Sequence, residues 1–197
     1  KTQELGIKNI DYLQADILAL DRLNRQFDII ECVGVLHHMD NPMTGWKVLK
    51  NCLKPGGIMK IGLYSELARK DVVKIRNEIK KSRVEASDSD IRLFRNSIIS
   101  SEEKHHVSIR KFTDFYCLEE LRDLLFHTQE YQFNLRQVRE CLAELKLEFC
   151  GFKQDNLVQK FKLTNTGLND PYDLLKWHSF EENNPGAFIQ MYQFWCQ

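Results

Sequence analysis

The stretch FDIIECVGVLHHMDNP, Phe27 to Pro42, decides the fold. Its first eight residues are predominantly apolar, the composition of a strand covered on both faces, as in a parallel sheet flanked by helices. Two histidines, an acid and a proline follow at once, so the strand either ends in a turn or opens onto a site. Next comes NPMTGWKVLKNCL, with Pro42 early and Trp46, Val48, Leu49, Cys52 and Leu53 at helical spacing. KPGG, Lys54 to Gly57, stops that helix as a tight turn, and IMKIGLYSE reads as a second apolar strand with a polar end. Strand, helix, turn and strand make a βαβ unit, which crosses over right-handed. The fold class is therefore α/β, with Phe27–Val35 and Ile58–Tyr64 predicted as parallel neighbours.

Working outward, KTQELGI reads as the last turns of a helix capped by Gly6, and NIDYLQADIL as a short strand ending near Asp16. Residues 67–99 are helical and charged, interrupted by RVEASDSD, with a further short helix over Ile91 to Ile99. TDFYCLEELRDLLF predicts a helix capped by Thr113 or Asp114, and Asn134 opens another that runs to Leu145. A strand over Leu147–Phe152, an acidic helix over Pro171–Asn183 and a closing strand over Met191–Cys196 complete the chain. The reading is one domain over residues 1–197. Core strands occupy 1–68, a helical insert or lid 69–133, and a helix with the last two strands 134–197.

Composition narrows the function. Lysine plus arginine (28) balance aspartate plus glutamate (28), so no net field favours nucleic acid or an acidic membrane. The six cysteines show no CxxC spacing and read as free thiols in a reducing, cytoplasmic compartment. No run approaches the ~18 apolar residues of a membrane helix. Adjacent His37 and His38 do not make a metal site without a carboxylate at suitable spacing, and His105–His106 shows no recognisable ligand spacing and reads as surface. No metal is expected.

The segment from Phe27 to Glu66 resembles the fourth-to-fifth-strand region of class I S-adenosylmethionine-dependent methyltransferases, especially the quinone-biosynthesis-like branch, through its V-L-H-H and L-K-P-G-G signatures. QADI, Gln14 to Ile17, resembles the adenine-contacting turn after that family's third strand. The stretch from DFYCLEELRDLLF to MYQFWCQ resembles the C-terminal half of bacterial methyltransferases that accompany tetratricopeptide repeats. The resemblance implies a partial Rossmann-like sheet of strands 3, 4, 5, 7 and 6, helices on both faces and a helical insert after the fifth strand. The closing strand would lie antiparallel between the fifth and sixth.

It also implies S-adenosylmethionine as cofactor, with Asp16 and Ile17 at the adenine and Cys32, Val33, Gly34 and His37 near the methionine moiety. His38, Glu66 and His127 are candidate general bases, and Tyr64, Ser65, Tyr116 and Arg122 candidate lining of the acceptor pocket. The acceptor, a small molecule or a protein, is not identified. Read without the resemblance, Asp16 is an N-cap, Gly34 eases packing and His37 caps a turn. The nine glycines include no G-x-G-x-G cluster. The chain is therefore expected to be the C-terminal part of a methyltransferase, weakly held over its first twenty residues and unable to bind cofactor alone. Competing classes are a non-catalytic α/β interaction module and a nicotinamide-dependent oxidoreductase, the latter lacking its own glycine fingerprint.

Overall fold

The structure is a computed structural model that describes residues 2, 4–127, 129–189 and 191–197. Among these, one sheet has the order β1 (Phe27–Val33), β2 (Leu53–Leu63), β4 (Tyr192–Cys196), β3 (Phe149–Phe152). β1 and β2 are parallel, with Cys32 opposite Ile61, and β4 runs antiparallel between β2 and β3. Both pairings are those expected from sequence. One row across the sheet reads Cys32, Ile61, Phe194, Phe152, every member buried. Against this row pack α1 (Pro42–Asn51), α6 (Leu135–Leu145), α7 (Asp155–Lys162) and α8 (Leu174–Asn183), through Trp46, Leu142, Phe161 and Trp177. Phe161 and Trp177 stack at 3.8 Å.

The caps follow from local chemistry. Asn41 accepts from the Met43 amide at the start of α1, and Asn134 opens α6 with a reciprocal capping box to Gln137. α8 is capped by Asp173 after a 3-10 turn over Asp170–Tyr172, so the helix expected from Pro171 starts three residues later. Likewise Thr113–Tyr116 forms a 3-10 turn, and the helix expected from that cap begins only at α5 (Leu118–Phe126). α2 (Glu66–Ser82), α3 (Asp88–Ile99), α4 (Lys104–Ile109) and α5 make the insert. It has its own core around Val72, Ile75, Ile91, Ile98, Ile109, Phe115 and Leu121. α7 had no counterpart in the sequence reading.

Three expectations are corrected. Residues 8–16 form no strand: they are exposed and lead into a 3-10 turn, Ile17–Leu23, that packs on α1. An isolated extended segment has no ladder partner for its backbone, and the described sheet stops at β1. For the same reason β1 is not covered on both faces. Its second face carries Ile29, Glu31 and Val33, with Ile29 57% and Val33 36% exposed. KPGG, finally, is not a turn ahead of the strand but a bulge within β2. The register steps from Phe27 opposite Leu53 to Ile29 opposite Ile58, and Gly56 takes φ +76°. Lys54 Nζ closes the bulge onto Asp28 at 2.9 Å. The Gly6 cap expected at the start does have left-handed φ, and the Ile7 amide donates to the Thr2 carbonyl at 3.0 Å, a Schellman-type bond. The rest of that helix end lies partly outside the described residues.

Stability is concentrated in the row Cys32, Ile61, Phe194, Phe152. Phe194→Ala is expected to lower unfolding free energy in urea by about 3 to 5 kcal/mol. Hydrogen exchange should protect the amides of β2 and leave residues 8–16 exchanging freely; protection across 8–16 would contradict the absence of a strand there.

Candidate active site

The site lies at the carboxyl ends of β1 and β2, where ligands bind in open parallel sheets. After Val33 the chain turns sharply at Gly34, whose φ of +79° is open to glycine, and a Cβ there would meet nothing within 4 Å. A 3-10 turn, Leu36–His38, then leads to α1. β2 ends at Leu63, Tyr64 follows, and Ser65 caps α2 by accepting from the Ala68 amide at 3.0 Å.

A strap that the sequence did not reveal joins these two ends. The Tyr131 amide donates to the His37 carbonyl (2.7 Å), the Phe133 amide to the Tyr64 carbonyl (2.9 Å) and the Glu66 amide to the Phe133 carbonyl (2.9 Å). Gln129 Nε2 donates to the Met39 carbonyl at 3.2 Å and the Tyr131 hydroxyl to the Asp40 carbonyl at 2.8 Å. Three short backbone bonds are too local to read as a strand, so no periodicity announces them.

The strap carries Glu130 inward. Its carboxylate, 1% exposed, takes a hydrogen bond from Arg76 at 2.8 Å and lies 3.7 Å from Arg69 Nε. Arg76 also donates twice to the Leu124 carbonyl, at 3.0 and 2.7 Å. Arg69, 3% exposed, stands with its guanidinium carbon 3.4 Å from the Tyr64 ring centroid, a close cation–π contact. Its Nε and Nη1 have no hydrogen-bond partner among the described residues. Buried guanidinium hydrogens left unpaired are costly, so an acceptor atom placed beside them would be well bound. Arg69 and Tyr64 line a cavity of about 260 Å³ together with Lys111, Asp114, Met191 and Gln193. Tyr64, Arg69 and Asp114 also line a second, more open groove, together with Gly34, His38 and His127.

The two neighbouring histidines have different fates. His37 is fully buried against Tyr64, ring centroids 4.0 Å apart, and neither ring nitrogen has a hydrogen-bond partner among the described residues. Burial, then the charges of His38 and Arg69, holds its pKa down to about 3, so the ring is neutral. His38 is half-buried, and its Nδ1 lies 3.0 Å from the Gln129 carbonyl. A carbonyl only accepts, so Nδ1 carries the proton and Nε2 of the neutral ring keeps its lone pair. His127 stacks on His38 at 4.0 Å. Its Nδ1 accepts from the Gln129 amide at 3.4 Å.

A third polar group lies inside the core. Glu181 of α8, 2% exposed, accepts from the Ser65 hydroxyl at 2.5 Å and the Tyr192 hydroxyl at 2.6 Å. Burial pushes its pKa above the ordinary glutamate value, against the lowering effect of the two hydrogen bonds. Ser65 thus faces this network as well as the α2 cap.

Of the sequence-derived candidates, the structure gathers Gly34, His38, Tyr64 and His127 around one groove. Glu66 is exposed and bonded to Asn134 Nδ2 at 3.1 Å, and is not among the groove residues. Tyr116 is exposed with its hydroxyl on the Arg110 carbonyl, and Arg122 pairs with Asp88. Neither is brought to the groove. Asp16 does cap its turn, its Oδ1 accepting from the Leu18 amide at 2.8 Å, and Ile17 is half-buried against the core. The Cys32 thiol is buried with its pKa raised to about 11, while Val33 faces the open side of the sheet. Arg69, Asp114 and Glu130 were missed, because nothing in their local sequence separates them from a solvated helix or loop.

Glu181 sets a pH dependence. With its folded pKa raised, the native state binds this proton more tightly than the unfolded chain, so stability falls as pH rises from the ordinary glutamate value of 4.5 through the raised one. Glu181→Gln should remove that component: the wild-type minus variant difference in urea stability should grow more negative across the window, and a pH-independent difference would contradict the raised pKa.

Comparison with known proteins bears on the fold that carries this site. A methyltransferase domain family model matches residues 1–61. An uncharacterized protein of Synechococcus sp. is 28% identical over 191 residues, which cover 91% of this chain and 46% of that protein. The structure of PKMT2 from Rickettsia typhi aligns with a TM-score of 0.68 at 16% identity, over 99% of this chain and 40% of that one. PKMT2 in complex with AdoHcy aligns at 0.66 and 17% identity, with the same coverage. The chain thus spans about half the length of the relatives it matches, or less. Residues 1–61 thus match a methyltransferase domain family, and the chain as a whole shares the α/β fold of PKMT2.

Proposed function

We propose that this chain supplies the acceptor side of an S-adenosylmethionine-dependent methyltransferase. The observation that carries the reading is the pair of spaces that share Tyr64, Arg69 and Asp114: an open groove that also takes in Gly34 and His38, and a more enclosed inner cavity. The cofactor would lie in the first, with the peptide carbonyls near Cys32, Val33 and Gly34 toward its ammonium, His37 buttressing Tyr64 from below, and Asp16 and Ile17 toward the adenine. The room around Gly34 suits such close approach. S-adenosylmethionine supplies a methyl group already activated on a sulfonium, so the protein's task is to align the acceptor.

The acceptor would enter the inner cavity, where Arg69 offers unpaired donors and Lys111 and Asp114 mixed charge. His38 is the better placed of the candidate bases, because the Gln129 carbonyl keeps its Nε2 free to take a proton from an acceptor that carries one. His127 holds His38 in place through stacking. The acceptor is a small molecule or a protein side chain, met in the cytoplasm; no helix among the described residues is long and apolar enough to cross a membrane.

We further read the chain as working within a longer protein, whose added strands pair on the open edge of β1. The end of the described sheet at β1 and the 46% coverage of its relative support this, and the exposed Ile29 and Val33 leave a face for the helices of such strands to cover. The described residues contain neither a glycine-rich loop nor an acid at a second strand end to hold the ribose. Each missing charge-assisted hydrogen bond weakens binding by ~1.5 to 3 kcal/mol. Calorimetric titration of S-adenosylmethionine should show no binding to the 197 residues alone and measurable binding to the longer protein, and His38→Ala in the latter should lower methyl transfer while leaving binding within about threefold. A longer protein that binds no cofactor would favour the non-catalytic interaction module instead.

A further inference from the structure

His105 and His106 sit on α4, and the fold brings Glu78 of α2 to them. His106 Nε2 lies 2.7 Å from Glu78 Oε2, and His105 Nε2 bonds the other oxygen, Oε1. The two rings are 4.3 Å apart. One nitrogen from each histidine and one oxygen of Glu78 fall within 4.8 Å of one another, and all three residues are half-buried. Behind His106, Nδ1 pairs with Ser101 Oγ at 2.8 Å. Asp71, on the same helix as Glu78, adds a further negative charge that His105 feels.

We infer that Glu78, His105 and His106 form a site for a divalent transition-metal ion of the zinc type, with water as the fourth ligand. Two imidazoles and a carboxylate are a donor set that zinc accepts in open, four-coordinate sites. Bonds of ~2.0 to 2.1 Å in a tetrahedron set ligand atoms ~3.3 Å apart, so His106 Nε2 and Glu78 Oε2, now at 2.7 Å, would open by about 0.6 Å, and all three ligand atoms already lie within 4.8 Å of one another. Ser101 is the outer partner such a site uses: with the ion bound it would accept from Nδ1–H and leave the lone pair of His106 on Nε2, toward the ion. Binding requires each neutral ring to carry its proton on Nδ1, a shift between tautomers that releases none. The ion would join α2 to α4 across the insert. Glu78 lies nine residues along α2 from Arg69, roughly 14 Å along the helix axis, so the ion takes no part at the groove.

The test is zinc titration of chelator-treated, reduced protein by calorimetry, with cobalt(II) absorption as a second readout. One equivalent of zinc is expected, with a visible band of a four-coordinate cobalt centre. A His105→Ala/His106→Ala double variant should lose at least about a hundredfold in affinity, and Ser101→Ala about tenfold. His106→Gln keeps a polar side chain against Glu78 while removing the ligand nitrogen, and should also lose the cobalt band; circular dichroism shows whether it keeps the fold. Cys117→Ser/Cys150→Ser, which removes the two exposed thiols, should leave binding unchanged. Equal zinc affinity in wild type and the double histidine variant, or loss of binding in the cysteine variant, would overturn the site and leave a hydrogen-bonded clamp only. These readouts involve neither cofactor binding nor methyl transfer.

Discussion

A carboxylate 1% exposed between two guanidinium groups holds the working end of this molecule together. Glu130 sits beside both Arg69 and Arg76, seven residues or about two turns apart on α2, and its single negative charge offsets part of their combined positive charge. A buried ion pair gains little over apolar packing, but removing one partner strands a charge and costs ~3 to 5 kcal/mol. The cluster therefore acts as a constraint more than as a source of stability. Because Glu130 belongs to the strap, the strap is drawn across the ends of β1 and β2, and Arg69 is pressed onto Tyr64.

The chemistry of the groove follows from that constraint. Gln129, next to Glu130, presents the carbonyl that orients His38 and the amide that meets His127. The same strap takes the backbone carbonyl of His37, whose ring stays buried and neutral beneath Tyr64. Two adjacent histidines thus divide into one that packs and one that reaches the groove. Among the described residues Arg69 retains unpaired donors, because Glu130 faces its charge at 3.7 Å without taking its hydrogen bonds.

Much of the fold was legible in local patterns. The β1–α1–β2 unit, the Asn134 cap and the insertion of the last strand between two others all follow from periodicity and cap chemistry, or from the V-L-H-H and K-P-G-G resemblance. Two-face burial of β1 did not hold, since composition records what a strand is suited to and not which neighbours it has. Residues 8–16 show the same limit: alternation alone makes no strand without a ladder beside it. In the site, Gly34, His38, Tyr64 and His127 were legible because they follow strand ends or sit in a recognised motif.

What the sequence by itself determined was the class of fold, the order of its elements and the place where a site must open, because each depends on residues within a few positions of one another. Tertiary structure alone decided the rest. Glu130 meets Arg69 across 61 positions, Glu181 meets Ser65 across 116, and Glu78 meets His105 across 27. Each of these polar groups would look solvated in its own segment. Their burial, and hence their pairing, arises only when the chain closes over them and removes the water.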